Sequence, residues 1–191
     1  TIREYIRNFI MSKLETNTID NISGSSTLTI GDSNTSTIAL KSGATLTNFP
    51  ANTPAFFAFM SANQTVPNST ATKIQIDTEV VDSDGKFDVS NYRFTPTVAG
   101  YYIIGGYFRL DSATDDAYAT IYIYKNGSAY YKDVEGKFEV LTKHINQVVY
   151  LDTDDYVEMY AQQYQGSSIT VNGNSTLDTV AATFYGYKLI G

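Results

Sequence analysis

The chain has 191 residues, with 13 basic and 20 acidic side chains, a formal net charge of −7, no Cys, no Trp, one His, 16 Tyr and 10 Phe. Without Cys there is no disulfide, thiol nucleophile or thiolate metal site, and one His excludes a multi-histidine metal centre within one chain. The acidic balance argues against a nucleic-acid binder, whose affinity rests on neutralising phosphates, and leaves a tyrosine-rich chain long enough to bury a core.

Residues 1–14 place Ile2, Tyr5, Ile6, Phe9, Ile10 and Leu14 at spacings of three and four, with Arg3, Glu4, Arg7, Asn8 and Lys13 between them. That period predicts an amphipathic helix. Too short to be stable in isolation, it reads as an anchor that docks through Ile2, Ile6, Phe9 and Ile10; folding back onto its own domain is the alternative. Arg7 interrupts the apolar stretch, so it does not read as a secretory signal. No run approaches the ~18 apolar residues of a membrane span.

Residues 15–50 are rich in Ser, Thr and Asn, with short apolar pieces at Leu28-Thr29-Ile30, Ile38-Ala39-Leu40 and Leu46-Thr47-Asn48-Phe49. Strands this short bury no core in one chain, so the segment reads as a β stalk wound with copies from other chains. A flexible linker is the alternative.

From residue 51 the pattern becomes all-β. Candidate strands are Ala55–Ser61, Lys73–Val81, Arg93–Phe94, Gly100–Leu110, Ala117–Lys125, Lys137–Val140, Ile145–Leu151, Tyr156–Gln163, Ser168–Val171 and Ala181–Leu189. The turn clusters 82–85, Asn126-Gly127, 152–155 and 172–174 lie between them. Ten short strands at this spacing predict a sandwich or jelly roll. In the 117–125 strand, Ala119, Ile121 and Ile123 alternate with Tyr118, Tyr122 and Tyr124; in the 156–163 strand, Val157, Met159 and Ala161 alternate with Tyr156 and Tyr160. The aliphatic face belongs against a second sheet. The tyrosine face, apolar in body and polar at the tip, suits a subunit contact, with Tyr118, Tyr122, Tyr124 and Tyr160 as its residues. Ordinary cross-strand filling is the alternative.

Several phrases then occur in a recognisable order: Pro54-Ala55-Phe56-Phe57-Ala58, Phe87-Asp88, Phe94-Thr95-Pro96-Thr97-Val98-Ala99-Gly100-Tyr101-Tyr102, Tyr124-Lys125-Asn126-Gly127, Leu151-Asp152-Thr153-Asp154-Asp155-Tyr156-Val157 and Phe184-Tyr185-Gly186-Tyr187-Lys188-Leu189. In this order they resemble the globular-head family of complement component one-q, close in fold to tumour necrosis factor. Asp154 stands where that family usually has Gly. The resemblance implies a ten-strand jelly roll, residues 51–191, that forms a homotrimer. The 15–50 segment, with Ser42-Gly43-Ala44-Thr45, resembles the shafts of bacteriophage fibres. Together these imply a trimeric virion structural protein, a fibre or decoration of capsid or tail. It would be assembled in the bacterial host cytoplasm, held to other virion proteins through residues 1–14, and would adhere through its head to a host-surface glycan or protein.

The chemistry of the side chains adds little catalysis. His144 has no Gly-x-Ser-x-Gly elbow to partner it, and the carboxylates cluster in turns instead of forming a placed acid/base pair. A non-enzyme is therefore expected, with a purely architectural trimerising cap or a carbohydrate-active depolymerase as alternatives. No cofactor is expected. Asp82-Ser83-Asp84-Gly85 opens like a calcium loop, but Arg93 stands where the closing Glu would be. The resemblance points instead to Asp133 and Glu135 as candidate ligands of a structural calcium. Exposed aromatic and amide groups at Tyr130, Tyr131, Tyr164 and Asn172 are the candidate glycan contacts.

Overall fold

The computed structural model describes residue 42 and residues 52–111, 118–136, 141–177 and 181–189. The anchor at 1–14, the stalk at 15–50 apart from residue 42, and the candidate strand at 137–140 lie outside these. The chain divides into two units, Thr1–Thr47 and Asn48–Gly191, and every described strand belongs to the second.

Those strands are β1 (Ala55–Phe59), β2 (Gln64–Val66), β3 (Thr72–Lys73), β4 (Thr78–Asp82), β5 (Phe87–Asp88), β6 (Arg93–Phe94), β7 (Gly100–Asp111), β8 (Tyr118–Lys125), β9 (Ser128–Gly136), β10 (Leu141–Leu151), β11 (Val157–Gln163), β12 (Ile169–Val171) and β13 (Thr183–Lys188). They form two antiparallel sheets. In the first, β10, β7, β13, β1 and β4 lie side by side, and β12 continues beyond β13 along the end of β7 and carries β2. In the second, β9, β8 and β11 lie side by side, β3 and β6 share the far edge of β11, and β5 pairs with β6. This is the two-sheet jelly roll that the ordered phrases of the sequence imply.

Alternation decides what lies between the sheets. From β7 the inward side chains are Tyr102, Ile104, Phe108 and Leu110; from β8 they are Ala119, Ile121 and Ile123; from β11, Val157, Met159 and Ala161, all buried. An aromatic cluster ties the layers together. Phe56 of β1 stacks on Phe94 of β6 at 4.4 Å and on Phe87 of β5 at 5.1 Å, and meets Phe184 of β13 edge-on at 5.1 Å. Burying each such side chain is worth roughly 1.5–3 kcal/mol.

Three differences from the sequence reading have physical causes. The expected strand at 73–81 is two strands in different sheets. Residues 74–77 cross between them, and the alternating Ile74 and Ile76, both fully buried, join the core between the sheets. Strand β9 was not expected, because it is an edge strand whose described side chains are all exposed, so no apolar alternation marks it. Its signal was the turn: Asn126 at φ 52° and Gly127 at φ 75° form the left-handed pair that a tight hairpin between β8 and β9 requires. The two-residue pieces β3 and β5 and the three-residue β2 are too short to show a period. Asp154 is not among the described non-glycine residues at positive φ, so its place in the 152–155 turn does not require glycine.

Gly106 of β7 lies in the inter-sheet layer. A Cβ there would collide with the Met159 sulfur and come within 3.1 Å of the Thr183 carbonyl oxygen and 3.4 Å of the Phe184 ring. Gly106→Ala is expected to destabilise the head by about 1–3 kcal/mol through overpacking, read as a lower denaturant midpoint at unchanged slope.

Candidate functional site

The tyrosines singled out in the sequence share the outer face of the second sheet. The register pairs Tyr122 with Tyr160, and Tyr124 with Glu158, across β8 and β11. Tyr124 stacks on Tyr160 at 3.8 Å and meets the edge of Tyr122 at 5.7 Å. The Tyr122 hydroxyl donates to Gln162 Oε1 at 2.5 Å, and Gln162 Nε2 donates to the Ser69 carbonyl at 3.0 Å. Glu158, only 3% exposed, takes an ion pair from Lys73 at 2.6 Å, and Lys73 Nζ stands 6.0 Å from the centre of the Tyr160 ring. Arg93, opposite Glu158, lies over the Tyr156 ring at 4.7 Å. Much of this face is therefore finished by partners within the chain. Tyr118, at the end of β8, is exposed.

The outer face of the first sheet has a different character. Tyr101 of β7, 59% exposed, packs edge-on against its cross-strand partner Tyr150 at 5.3 Å. Next along β7, Ile103 lies between Val148 of β10, 48% exposed, and Tyr187 of β13. Tyr185 stands opposite Gly105, where a Cβ would collide with its ring, and its other neighbour is Phe57 of β1, itself paired with the exposed Val81. A row of large apolar side chains crosses this sheet from β10 to β4 and meets solvent.

The four glycan candidates separate. Tyr130 and Tyr131 line one cleft of about 220 Å³, together with Tyr122, Ala129 and Lys132, on the second sheet. Asn172 lines another, of about 440 Å³, with Asn63, Gln165, Ser168 and Thr170. Tyr164 is exposed and lines neither; its amide donates to the Tyr118 carbonyl at 3.0 Å. Lys132 and the β-bulge beside it are the features that sequence reasoning missed. The adjacent Tyr130-Tyr131 pair was visible, but the bulge that turns it into a cleft was not.

The calcium candidates also separate. Asp133 accepts an ion pair at 2.5 Å from Lys143, which is only 1% exposed and reaches across from β10. The pair joins the edge strand of one sheet to the edge strand of the other. The backbone of Glu135 pairs with Ala119; its side chain lies outside the described residues. Among the described residues no three His, Asp or Glu side chains converge on one point. His144 stands on the outer face of the first sheet, opposite Tyr107.

The turn carboxylates act as hydrogen-bond acceptors. Asp88 accepts from both the backbone and side chains of Ser90 and Asn91, which hold it well below the usual carboxylate range. Thr97 and Ser83 lower Asp84 in the same way. Burial works against the charge of Asp155, but the Lys125 ammonium, the Asp152 amide and the Asn126 side chain outweigh it and lower its pKa.

Two phenols move the other way. Burial pushes Tyr102, whose hydroxyl donates to the Val98 carbonyl, up to about 12, and burial beside Glu158 does the same to Tyr160. The unfolded chain releases these protons near the ordinary value of 10. Between there and about 12 it binds fewer protons than the folded chain, so stability falls as pH rises through that window and is complete below it. The three lowered carboxylates give the mirror effect: stability is present above 3.8 and is lost as pH falls below it. Melting temperature against pH is expected to show both flanks. The substitutions Tyr160→Phe and Asp88→Asn should flatten the alkaline and acid flanks respectively, and flanks unchanged by both substitutions would refute the assignment.

No family model matches the chain, and no curated protein matches it. Solved structures do. The globular domain of zebrafish complement 1qA is similar over 71% of this chain and 96% of its own, at 17% identity and a TM-score of 0.47. Murine APRIL at pH 5.0 is similar over 71% of this chain and 99% of its own, at 9% identity and a TM-score of 0.49.

Proposed function

We propose that this chain is a non-enzymatic, homotrimeric structural protein of a virion, a fibre or decoration of capsid or tail. Its jelly-roll head adheres to a host-surface ligand, and residues 1–14 hold other virion proteins through Ile2, Ile6, Phe9 and Ile10. The observation that carries the reading is the apolar outer face of the first sheet. Tyr101, Ile103, Val148, Tyr150 and Tyr187 form a continuous surface for which the second unit of the chain supplies no cover. Large exposed apolar patches mark interaction surfaces, and a homotrimer covers this one with copies of itself. The three-fold contact then falls on the first sheet. Tyr122, Tyr124 and Tyr160 of the second sheet have partners of their own and lie on the outside of the assembly. The phrases shared with the complement one-q head support a trimer, and the fibre-like phrases of 15–50 support the virion setting. The use of the turn carboxylates as structural acceptors supports a binding role over hydrolysis.

Sedimentation equilibrium at micromolar concentration is expected to give three times the 21.1 kDa chain mass. Val148→Glu is expected to give the single-chain mass with the head still folded, and Tyr124→Ser to leave the trimer intact. A single-chain mass for the unsubstituted protein would sink the trimer; dissociation by Tyr124→Ser and not by Val148→Glu would move the contact to the second sheet. For the virion role, particles lacking residues 55–191 are expected to assemble and fail to adsorb to their host, and normal adsorption would refute adhesion.

A further inference from the structure

The cleft beside Tyr130 and Tyr131 owes its shape to one irregularity. In a regular strand, consecutive side chains point to opposite faces, so these two rings would be kept apart. Here the ladder between β8 and β9 shifts register: Ile123 pairs with Tyr131 and Tyr124 pairs with Ala129, leaving Tyr130 as the extra residue of a β-bulge. Bulges re-aim side chains and recur beside functional sites. Tyr130 and Tyr131 both line the cleft, and their rings touch edge-to-face at 4.8 Å. Tyr122 also lines the cleft, braced through its hydroxyl by Gln162 and by a T-shaped contact with Tyr124.

One exposed cation lines the cleft. Lys132, the cross-strand partner of Tyr122, is exposed at its margin and makes no ion pair or hydrogen bond among the described residues. The neighbouring Lys125 is different. It is ion-paired to Asp155 at 2.7 Å and hydrogen-bonded to the Tyr150 carbonyl at 2.9 Å. In a chain of net charge −7, an uncommitted lysine lining a cleft with three tyrosines selects for an anion.

We infer that this cleft binds a carboxylate-bearing sugar ring, a hexuronate or similar acidic residue of a surface polysaccharide. The tyrosine faces pack on the apolar faces of the ring, and Lys132 takes the carboxylate. At about 220 Å³ the cleft is below the ~300–1,000 Å³ of pockets for drug-sized ligands, which suits one ring of a longer glycan. A single ammonium balances a singly charged carboxylate; a phosphate dianion would add uncompensated charge to an already acidic surface. The cleft lies on the second sheet, so self-association through the outer face of the first sheet leaves it open. This inference rests on the adhesion reading and names its ligand.

The test uses the full chain, with methyl β-glucuronide, methyl β-glucoside and glucose 6-phosphate as probes in saturation-transfer NMR and titration. Saturable binding of the glucuronide and weaker binding of the other two is expected. Lys132→Gln should weaken glucuronide binding by about tenfold, the loss of one charge-assisted contact, and Lys132→Arg should restore it. Tyr131→Ala should weaken both sugars, with melting temperature and sedimentation confirming the fold in each variant. Equal binding of glucuronide and glucoside, tighter binding of the phosphate, no saturable binding, or indifference to Lys132→Gln would each overturn the assignment. If the cleft fails while particles lacking the head still lose adsorption, adhesion stands and uses another surface. Retained adsorption without the head refutes the adhesion reading itself.

Discussion

The stack of Phe56 on Phe94 is the contact on which the head depends, because it is where the two sheets meet. Phe87 and Phe184 pack around it, one from each sheet, and Tyr102 of the first sheet touches Phe94 from the other side. A buried aromatic layer of this kind commits one face of every long strand to the interior. The other face of each strand meets solvent or further partners, and the two sheets differ in which.

On the second sheet the chain completes much of its own outer face. Tyr124 stacks on Tyr160, Glu158 is neutralised by Lys73, and Gln162 holds the Tyr122 hydroxyl. On the first sheet the outer face stays apolar and open, from Tyr150 through Tyr101 and Ile103 to Tyr187. This asymmetry leaves one outer face largely partnered within the chain and the other apolar and open. Charge follows the same division. The Lys143–Asp133 pair closes the seam between β10 and β9, and Lys125–Asp155 holds the turn before β11. Such pairs are weak sources of stability but costly to break once one partner is buried.

Most of the sandwich was legible in the residues. The strands at 118–125 and 157–163 carry an apolar alternation, those at 100–111 and 183–188 are aromatic-rich runs, and each forms within one or two residues of the expected bounds. The failures came where burial and alternation part company. Ser128–Gly136 is a nine-residue edge strand with no apolar face, and the apolar run at 73–81 is spent on a crossing between sheets. The candidate site was legible as residue types and not as groups. Tyr130 and Tyr131 fall in one cleft, Asn172 in another and Tyr164 in neither. Asp133 is paired with a lysine ten residues further along the chain.

By itself, the sequence determined which side chains of each strand share a face and where the chain must turn, because a period of two and the left-handed pair Asn126-Gly127 are local properties of the backbone. It also determined that tyrosine faces would exist. Only the tertiary structure decided which of them would be finished internally and which apolar surface would be left uncovered. It alone decided that a one-residue bulge would bring two adjacent tyrosines beside Lys132. Those outcomes depend on which strand lies next to which and in what register, and pairing between distant segments is set by the packing of the whole core, not by any stretch of chain alone.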